Sequence, residues 1–213
     1  IFQQVIAREA PVEFAGRQYN LPYNGPDSLG LGKPLKSITH PLRKDLPIFL
    51  GAEGPRNVEQ TAEIADGWLP LYYTPYRQEV YADQLKNAKP GFEISAMAMV
   101  NINDDLEQAL YPVKAMLAFY IGGMGSKKRN FHKELMSRMG FEAEADKIQE
   151  LFFEGKQDEA IKIVPDQFAD EISLSGSRDR VKERLEAWKD SPVTSLLVMG
   201  DNSLLREMAE MVL

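Results

Sequence analysis

Seven consecutive residues, Gly51, Ala52, Glu53, Gly54, Pro55, Arg56 and Asn57, bring together the types from which an anion site is made. Glycines at 51 and 54 let backbone approach a ligand with no Cβ in the way. Pro55 suits the first position of a helix, where its missing N–H costs nothing. Arg56 and Asn57 add side-chain donors. A helix N-terminus offers N–H groups without intrahelical partners and the positive end of a dipole, which suits a phosphate or carboxylate. Glu53 opposes that use, because a carboxylate repels a neighbouring dianion unless it points away, pairs with Arg56 or accepts from a ligand hydroxyl. From these residues alone, ligand binding and plain architecture both stay open.

The flanking residues must hold this turn in place. The apolar run 47–50 fits a strand buried on both faces, and Val58, Ala62 and Ala65 give the following helix one apolar stripe, which Gly67 ends. Residues 68–73 read as a second strand and 76–88 as a helix broken by Pro90 and Gly91. Residues 93–102 read as a third strand, with Asp104 placed to cap the helix that follows. A fourth strand, 193–199, turns through 200–203 into a final helix. Strands alternating with helices call for a parallel sheet with right-handed crossovers. Four such units fit half of a (β/α)8 barrel, and a doubly wound open sheet is the competing layout. In a barrel the ligand lies at the C-terminal strand ends, here 51–57, 72–74, 101–103 and 200–202. Tyr72 and Tyr73 are therefore candidates for lining a substrate pocket, and strand alternation gives that place to one of them at most. Trp68, Met97 and Met99 read as core.

Residues 104–190 read as a helical insertion before the last strand, within a single domain spanning 1–213. Leu106, Leu110, Val113, Leu117 and Ile121 trace a helix face interrupted at Pro112, and Gly122, Gly123 and Gly125 end it. The segment GGMGSKKR departs from the phosphate-loop pattern G-x-x-x-x-G-K-[ST] and follows no strand, so it reads as a surface turn. His132 has no ligand partner at helical spacing, and His40, beside Pro41, stands alone and reads as structural; no metal is expected. Ser177 is placed to cap helix 178–189, whose mixed charges suggest a solvated outer face. The Gly- and Pro-rich stretch 11–47 reads as a long loop, of which 19–36 would either fold over a pocket or wrap the scaffold. Phe2, Val5, Ile6 and Arg8 read as the last turns of an amphipathic helix that starts upstream, so the sequence is expected to belong to a longer chain.

Composition narrows the class. At 213 residues, 44% hydrophobic and 27% charged, the chain is an ordinary globular sequence, and a net charge of −7 argues against a nucleic-acid footprint. The absence of cysteine excludes disulfides, thiolate metal sites and a cysteine nucleophile. No run of about 18 apolar residues marks a membrane span, and a cytoplasmic location is the default expectation. No Ser-His-Asp arrangement is visible.

Three stretches carry a resemblance: GAEGPRNVEQTAEIADGWLPLYYTP, AFYIGGMGSKKRNFHKELMSRMGF and VPDQFADEISLSGSRDRVKERL. Their G-x-x-G-P-[KR] turn, the ADG before the next strand and the G-x-x-x-x-V-x-x-R-L helix together resemble the luciferase-like monooxygenase superfamily, in particular its coenzyme F420-dependent oxidoreductases. The resemblance implies a TIM-type (β/α)8 barrel, of which this sequence would supply about the second half, with its apolar interior face open unless completed by further residues or a second copy. It implies a deazaflavin, F420, or in related members FMN, with Gly51 to Asn57 near its phosphate, and hydride transfer to or from a small organic molecule. Catalytic residues are not transferable, since those expected at the reactive ring would lie upstream. An FMN-dependent monooxygenase and a non-catalytic barrel binding a phosphorylated ligand are the competing readings; no nucleic-acid or membrane partner is expected, and a homo-oligomer is compatible.

Overall fold

The computed structural model describes residues 1–35 and 37–212, so Lys36, at the far end of the 19–36 segment, lies outside the described residues. The chain divides into two compact units, Ile1–Pro47 and Ile48–Leu213.

The first unit opens with helix α1 (Phe2–Ala7), which stops at Arg8 in a left-handed conformation, φ 54°. The Arg8 guanidinium donates to the carbonyls of Ser37 and Thr39. Two short strands, β1 (Phe14–Ala15) and β2 (Asn20–Leu21), pair antiparallel with Phe14 opposite Leu21. Tyr19, Leu29, Leu31, Ile38 and Leu42 are exposed, and so is His40, which therefore has no packing role.

The second unit is an α/β layer. Strand β3 (Phe49–Gly51) leads into helix α2 (Pro55–Ile64), whose Val58, Thr61 and Ala62 are buried, and then into strand β4 (Gly67–Leu69). A 3-10 turn at Gln78–Tyr81 and a short helix α3 (Ala82–Leu85) stand where one helix over 76–88 was expected. Strand β5 (Glu93–Ile102) occupies its expected residues. Next come α4 (Leu106–Gly123), α5 (Phe131–Arg138), α6 (Glu142–Phe153), α7 (Gln157–Ile163) and α8 (Asp166–Glu171). Strand β6 (Ser173–Gly176), helix α9 (Arg178–Lys189), strand β7 (Ser195–Met199) and helix α10 (Asn202–Val212) complete the unit.

All pairing in this sheet is parallel. Phe49 faces Gly67, Gly67 faces Glu93, Met99 faces Ser173 and Ser95 faces Ser195, so β5 is the hub for β4, β6 and β7. Among the described residues the order runs β3-β4-β5-β6 with β7 also on β5, and it does not return to β3. There are thus five parallel strands where four were expected, and 104–190 is not purely helical. β6 escapes a sequence reading because SLSG looks like a polar turn; its residues are all buried, and the hydroxyls of Ser173 and Ser175 satisfy each other at 2.9 Å.

The core lies on one face of the sheet. Ile94, Ala96, Ala98 and Val100 of β5 belong to one buried cluster with Leu110, Val113, Leu117 and Ile121 of α4. The opposite face carries Met97 and Met99, in register with Leu197 and Met199, and Met199 is 65% exposed. Met97 is therefore not the core residue expected, whereas Met99 is half-buried and packs against the cluster: alternation was correct, but the fully buried face of β5 is the one that carries Ile94, Ala96, Ala98 and Val100. Two local expectations also change. Asp105, not Asp104, caps α4, accepting from the N–H groups of Glu107 and Gln108. Pro112 lies inside α4 without ending it. The helix ends at Gly123 as expected, and Gly122 also serves packing, because a Cβ there would stand 2.5 Å from that of Phe152.

Asp66 fastens the sheet ahead of the 51–57 turn. Its carboxylate accepts from the Ile48 N–H at 2.8 Å and from Lys89 Nζ at 2.9 Å. These two bonds, the backbone one first, hold the Asp66 carboxyl below the usual range. A depressed folded-state value contributes stability that is present above the unfolded-state value near pH 4 and is lost as pH falls through the folded one. Asp66→Asn should therefore flatten the acid limb of the stability–pH curve below about pH 4, read by denaturant midpoints from pH 2.5 to 6; an unaltered limb would remove Asp66 from this role.

Candidate functional site

The 51–57 turn lies where β3 hands over to α2, at the C-terminal end of a parallel strand. Ala52 is buried and its carbonyl accepts from the Trp68 indole N–H at 2.9 Å, while the Glu53 carbonyl accepts from the Arg138 guanidinium at 2.9 Å. One donor comes from β4 and one from α5, so the turn is clamped from both sides. Gly54 is the N-cap of α2, and its carbonyl takes the N–H groups of Asn57 and Val58. Pro55 has no N–H, which leaves Arg56 as the donor of the first turn with no carbonyl behind it in the helix. A Cβ on Gly54 would meet nothing within 4 Å, so the space in front of the turn is open. Arg56 and Asn57 are exposed, and among the described residues Arg56 makes no ion pair.

That open space is a cleft of about 330 Å³ between Gly51, Glu53, Gly54 and Asn57 on one side, Leu69 and Leu71 after β4, and Phe131 and His132 at the start of α5. The conflict posed by Glu53 is resolved by His132. Glu53 Oε1 stands 2.9 Å from His132 Nδ1, with both side chains more than four-fifths buried, and Arg56 is not the partner. The other oxygen, Oε2, is buried with no hydrogen-bond partner among the described residues.

Tyr72 and Tyr120 enclose the imidazole. Their ring centroids lie 5.8 and 5.0 Å from that of His132, both edge-on, and the two tyrosines are 6.1 Å apart. Tyr72 has φ 55°, a conformation that bulky residues seldom adopt, and its buried hydroxyl has no partner among the described residues. Tyr73 belongs to the core, stacked on Tyr81 at 6.2 Å. Both tyrosines are buried, Tyr72 beside His132 and Tyr73 against Tyr81 and Trp188. Strand alternation is not what parts them, because β4 stops at Leu69 and the chain leaves strand geometry before reaching them.

Burial pushes the Tyr72 phenol well above its usual range, with the Glu53 carboxylate and then Tyr120 adding to the shift. Burial also raises Tyr81, against the opposing Arg138 guanidinium, and lifts Tyr73 to about 12. These phenols stay neutral at physiological pH. His132, Arg138 and Tyr120 were missed by the sequence reading. Glu53 and His132 are 79 positions apart, and only the packing of α5 over the turn joins them. Among the described residues no group of acidic or histidine side chains could hold a metal ion, and no helix is long and apolar enough to cross a membrane.

Residues 1–195 match the luciferase-like monooxygenase family. A Mycobacterium tuberculosis protein, provisionally named a coenzyme F420-dependent oxidoreductase, is 44% identical over 222 aligned residues, covering all of this chain and 64% of that protein. The 5,10-methylenetetrahydromethanopterin reductase of Archaeoglobus fulgidus is 26% identical across 71% of this chain and 47% of its own length. The chain thus spans about half to two-thirds of the relatives it matches. Among solved structures, the coenzyme F420-dependent tetrahydromethanopterin reductase of Methanopyrus kandleri superposes with a TM-score of 0.69 at 24% identity, over 94% of this chain and 55% of that one. An F420-dependent secondary alcohol dehydrogenase, solved with an F420-acetone adduct, gives 0.61 at 12% identity, over 92% and 52%. Those likenesses extend to the fold.

Proposed function

This chain belongs to the luciferase-like monooxygenase family, and from that premise we propose that it serves an oxidoreductase in which coenzyme F420 exchanges a hydride with a small organic substrate. The reading is carried by the 51–57 turn: clamped by Trp68 and Arg138, facing an open cleft, and with the one adverse charge, Glu53, held against His132. The names of the relatives supply the cofactor's identity. The residues present fit its phosphate end. Arg56 is an exposed cation without an ion pair among the described residues, the space before Gly54 is open, and the Glu53 Oε2 and Tyr72 hydroxyl hold unfilled hydrogen-bonding capacity.

On this reading, the Arg56 N–H and guanidinium would bind the phosphate, the clamps would keep the turn from moving, and Leu69, Leu71 and Phe131 would shed water from the cleft. Bound F420 supplies the hydride chemistry; these protein groups supply position and charge. Absorbance titration tests the proposal. F420 should produce a saturable band shift, and Arg56→Ala should weaken that binding by at most about 1.5–3 kcal/mol, the range for a charge-assisted hydrogen bond. Saturable uptake of FMN alone would move the protein to the flavin branch, and uptake of neither would favour a non-catalytic barrel. Unchanged affinity in the variant would move the phosphate away from Arg56.

A further inference from the structure

Glu53 is an awkward residue for an anion-binding turn, and its pairing with His132 bears on how much negative charge the turn carries. The carboxylate lies at the centre of the turn, and its Oε1 meets His132 Nδ1 at 2.9 Å. Neutral imidazole donating one hydrogen bond leaves a full negative charge beside the cleft. Imidazolium cancels that charge. Tyr72 and Tyr120 stand edge-on to the His132 ring, and burial raises the Tyr72 phenol and that of Tyr81 near Glu53, so these two cannot take over the proton. Of the nearby cations, Arg56 is exposed and makes no ion pair with Glu53, Arg138 donates to the Glu53 carbonyl, and Lys133 is paired with Asp146 and Gln149 of α6. Arg129 lies over Phe131. His132 is thus the group placed to change charge in this cluster.

We propose that His132 is the proton-linked counter-charge of the 51–57 turn, so that binding of a phosphate-type anion there is accompanied by uptake of a proton on His132. This rests on the reading of the turn as the seat of the cofactor's phosphate, and it adds the residue that makes the seat electrically competent. A second negative charge entering the cleft stabilises imidazolium. By linkage, the anion in turn binds more tightly when His132 is already protonated. Affinity therefore falls as pH rises through the titration of His132. A shift of about one pH unit corresponds to about a tenfold difference in affinity between the acidic and basic plateaus.

Sulfate is a suitable probe, because its charge is constant across this range. The chain has two histidines, His40 and His132, and His40 is exposed in the first unit, so it is an internal control. Imidazole proton resonances followed from pH 5 to 9 should show the His132 midpoint rising by about one unit in saturating sulfate, with His40 moving only as far as added salt alone moves it. The Gly54 and Arg56 amide resonances should shift with the same saturation. Two variants separate charge from shape. His132→Gln should lose the pH dependence of sulfate affinity and bind at pH 5.5 as the unaltered protein does at pH 8.5. Glu53→Gln should bind at pH 8.5 about as tightly as the unaltered protein at pH 5.5. Amide shifts with a stationary His132 midpoint, or an unchanged pH profile in His132→Gln, would overturn the proton linkage and leave the turn as an anion site. Absence of any sulfate-dependent shift at Gly54 and Arg56 at every pH would overturn both.

Discussion

Trp68→Ala should be the most damaging single substitution in the second unit, and it should harm ligand binding beyond what unfolding explains. The indole is fully buried, edge-on to Tyr81 at 4.8 Å and to Tyr73 at 6.2 Å. Removing it leaves a cavity the size of two rings, and such truncations cost about 3–5 kcal/mol. For a chain of this length, a loss of about 4 kcal/mol corresponds to a fall in melting temperature of roughly 8–16 °C. The second consequence is local. With no indole N–H the buried Ala52 carbonyl loses its partner, and the 51–57 turn loses one of its two clamps. Trp68→Phe separates the effects: it keeps most of the packing and orphans the carbonyl, at about 1–3 kcal/mol. Scanning calorimetry and the F420 titration together read both. A Phe variant with unaltered binding would show that the Arg138 clamp suffices by itself.

Asp170→Ala should be the second most costly change, by about 3 kcal/mol, because it strands two largely buried guanidinium groups. Asp170 accepts from Arg180 through both oxygens at 2.8 Å and meets Arg184 at 3.1 Å. Arg180 also donates to the Ser175 carbonyl and Arg184 to that of Asp170, so one carboxylate ties α8, β6 and α9 together. Without it, two like charges face each other next to a strand. The melting temperature should fall by roughly 6–12 °C. Asp170→Asn, which keeps the acceptor oxygen, should recover part of the loss. A drop below about 1 kcal/mol in denaturant unfolding would place the cluster among ordinary surface ion pairs.

This cluster also marks a limit of sequence reading. Arg180 and Arg184 stand in a helix of mixed charge that reads as a solvated face, yet both are drawn inward by one acid on the preceding helix. Ser177 as the cap of α9 was legible, because capping is local: its hydroxyl accepts from the N–H three residues on. Strand β5 was legible to the residue for a similar reason, since its run EISAMAMVNI has ten residues with no breaker. Strand β6 was not, because four residues with two serines carry no pattern, and their burial is decided by β5 lying beside them. The alternation of Met97 and Met99 was correctly read as a strand face, while which face the helices cover is not written in the strand.

By itself the sequence determined the local grammar of this protein: a strand, a glycine turn and a Pro-started helix at 47–64, and the parallel α/β plan. Each of these follows from backbone sterics and hydrophobic periodicity within a dozen residues. Only the tertiary structure decided what surrounds that turn. Trp68 holds Ala52, Arg138 holds Glu53, and His132 answers the Glu53 charge across 79 residues. These contacts form because α5 and β4 are carried to the turn by burial of apolar faces elsewhere, and burial has no preference for sequence separation. The turn opened as a set of donors spoiled by one carboxylate; in the folded protein that carboxylate meets a histidine at 2.9 Å.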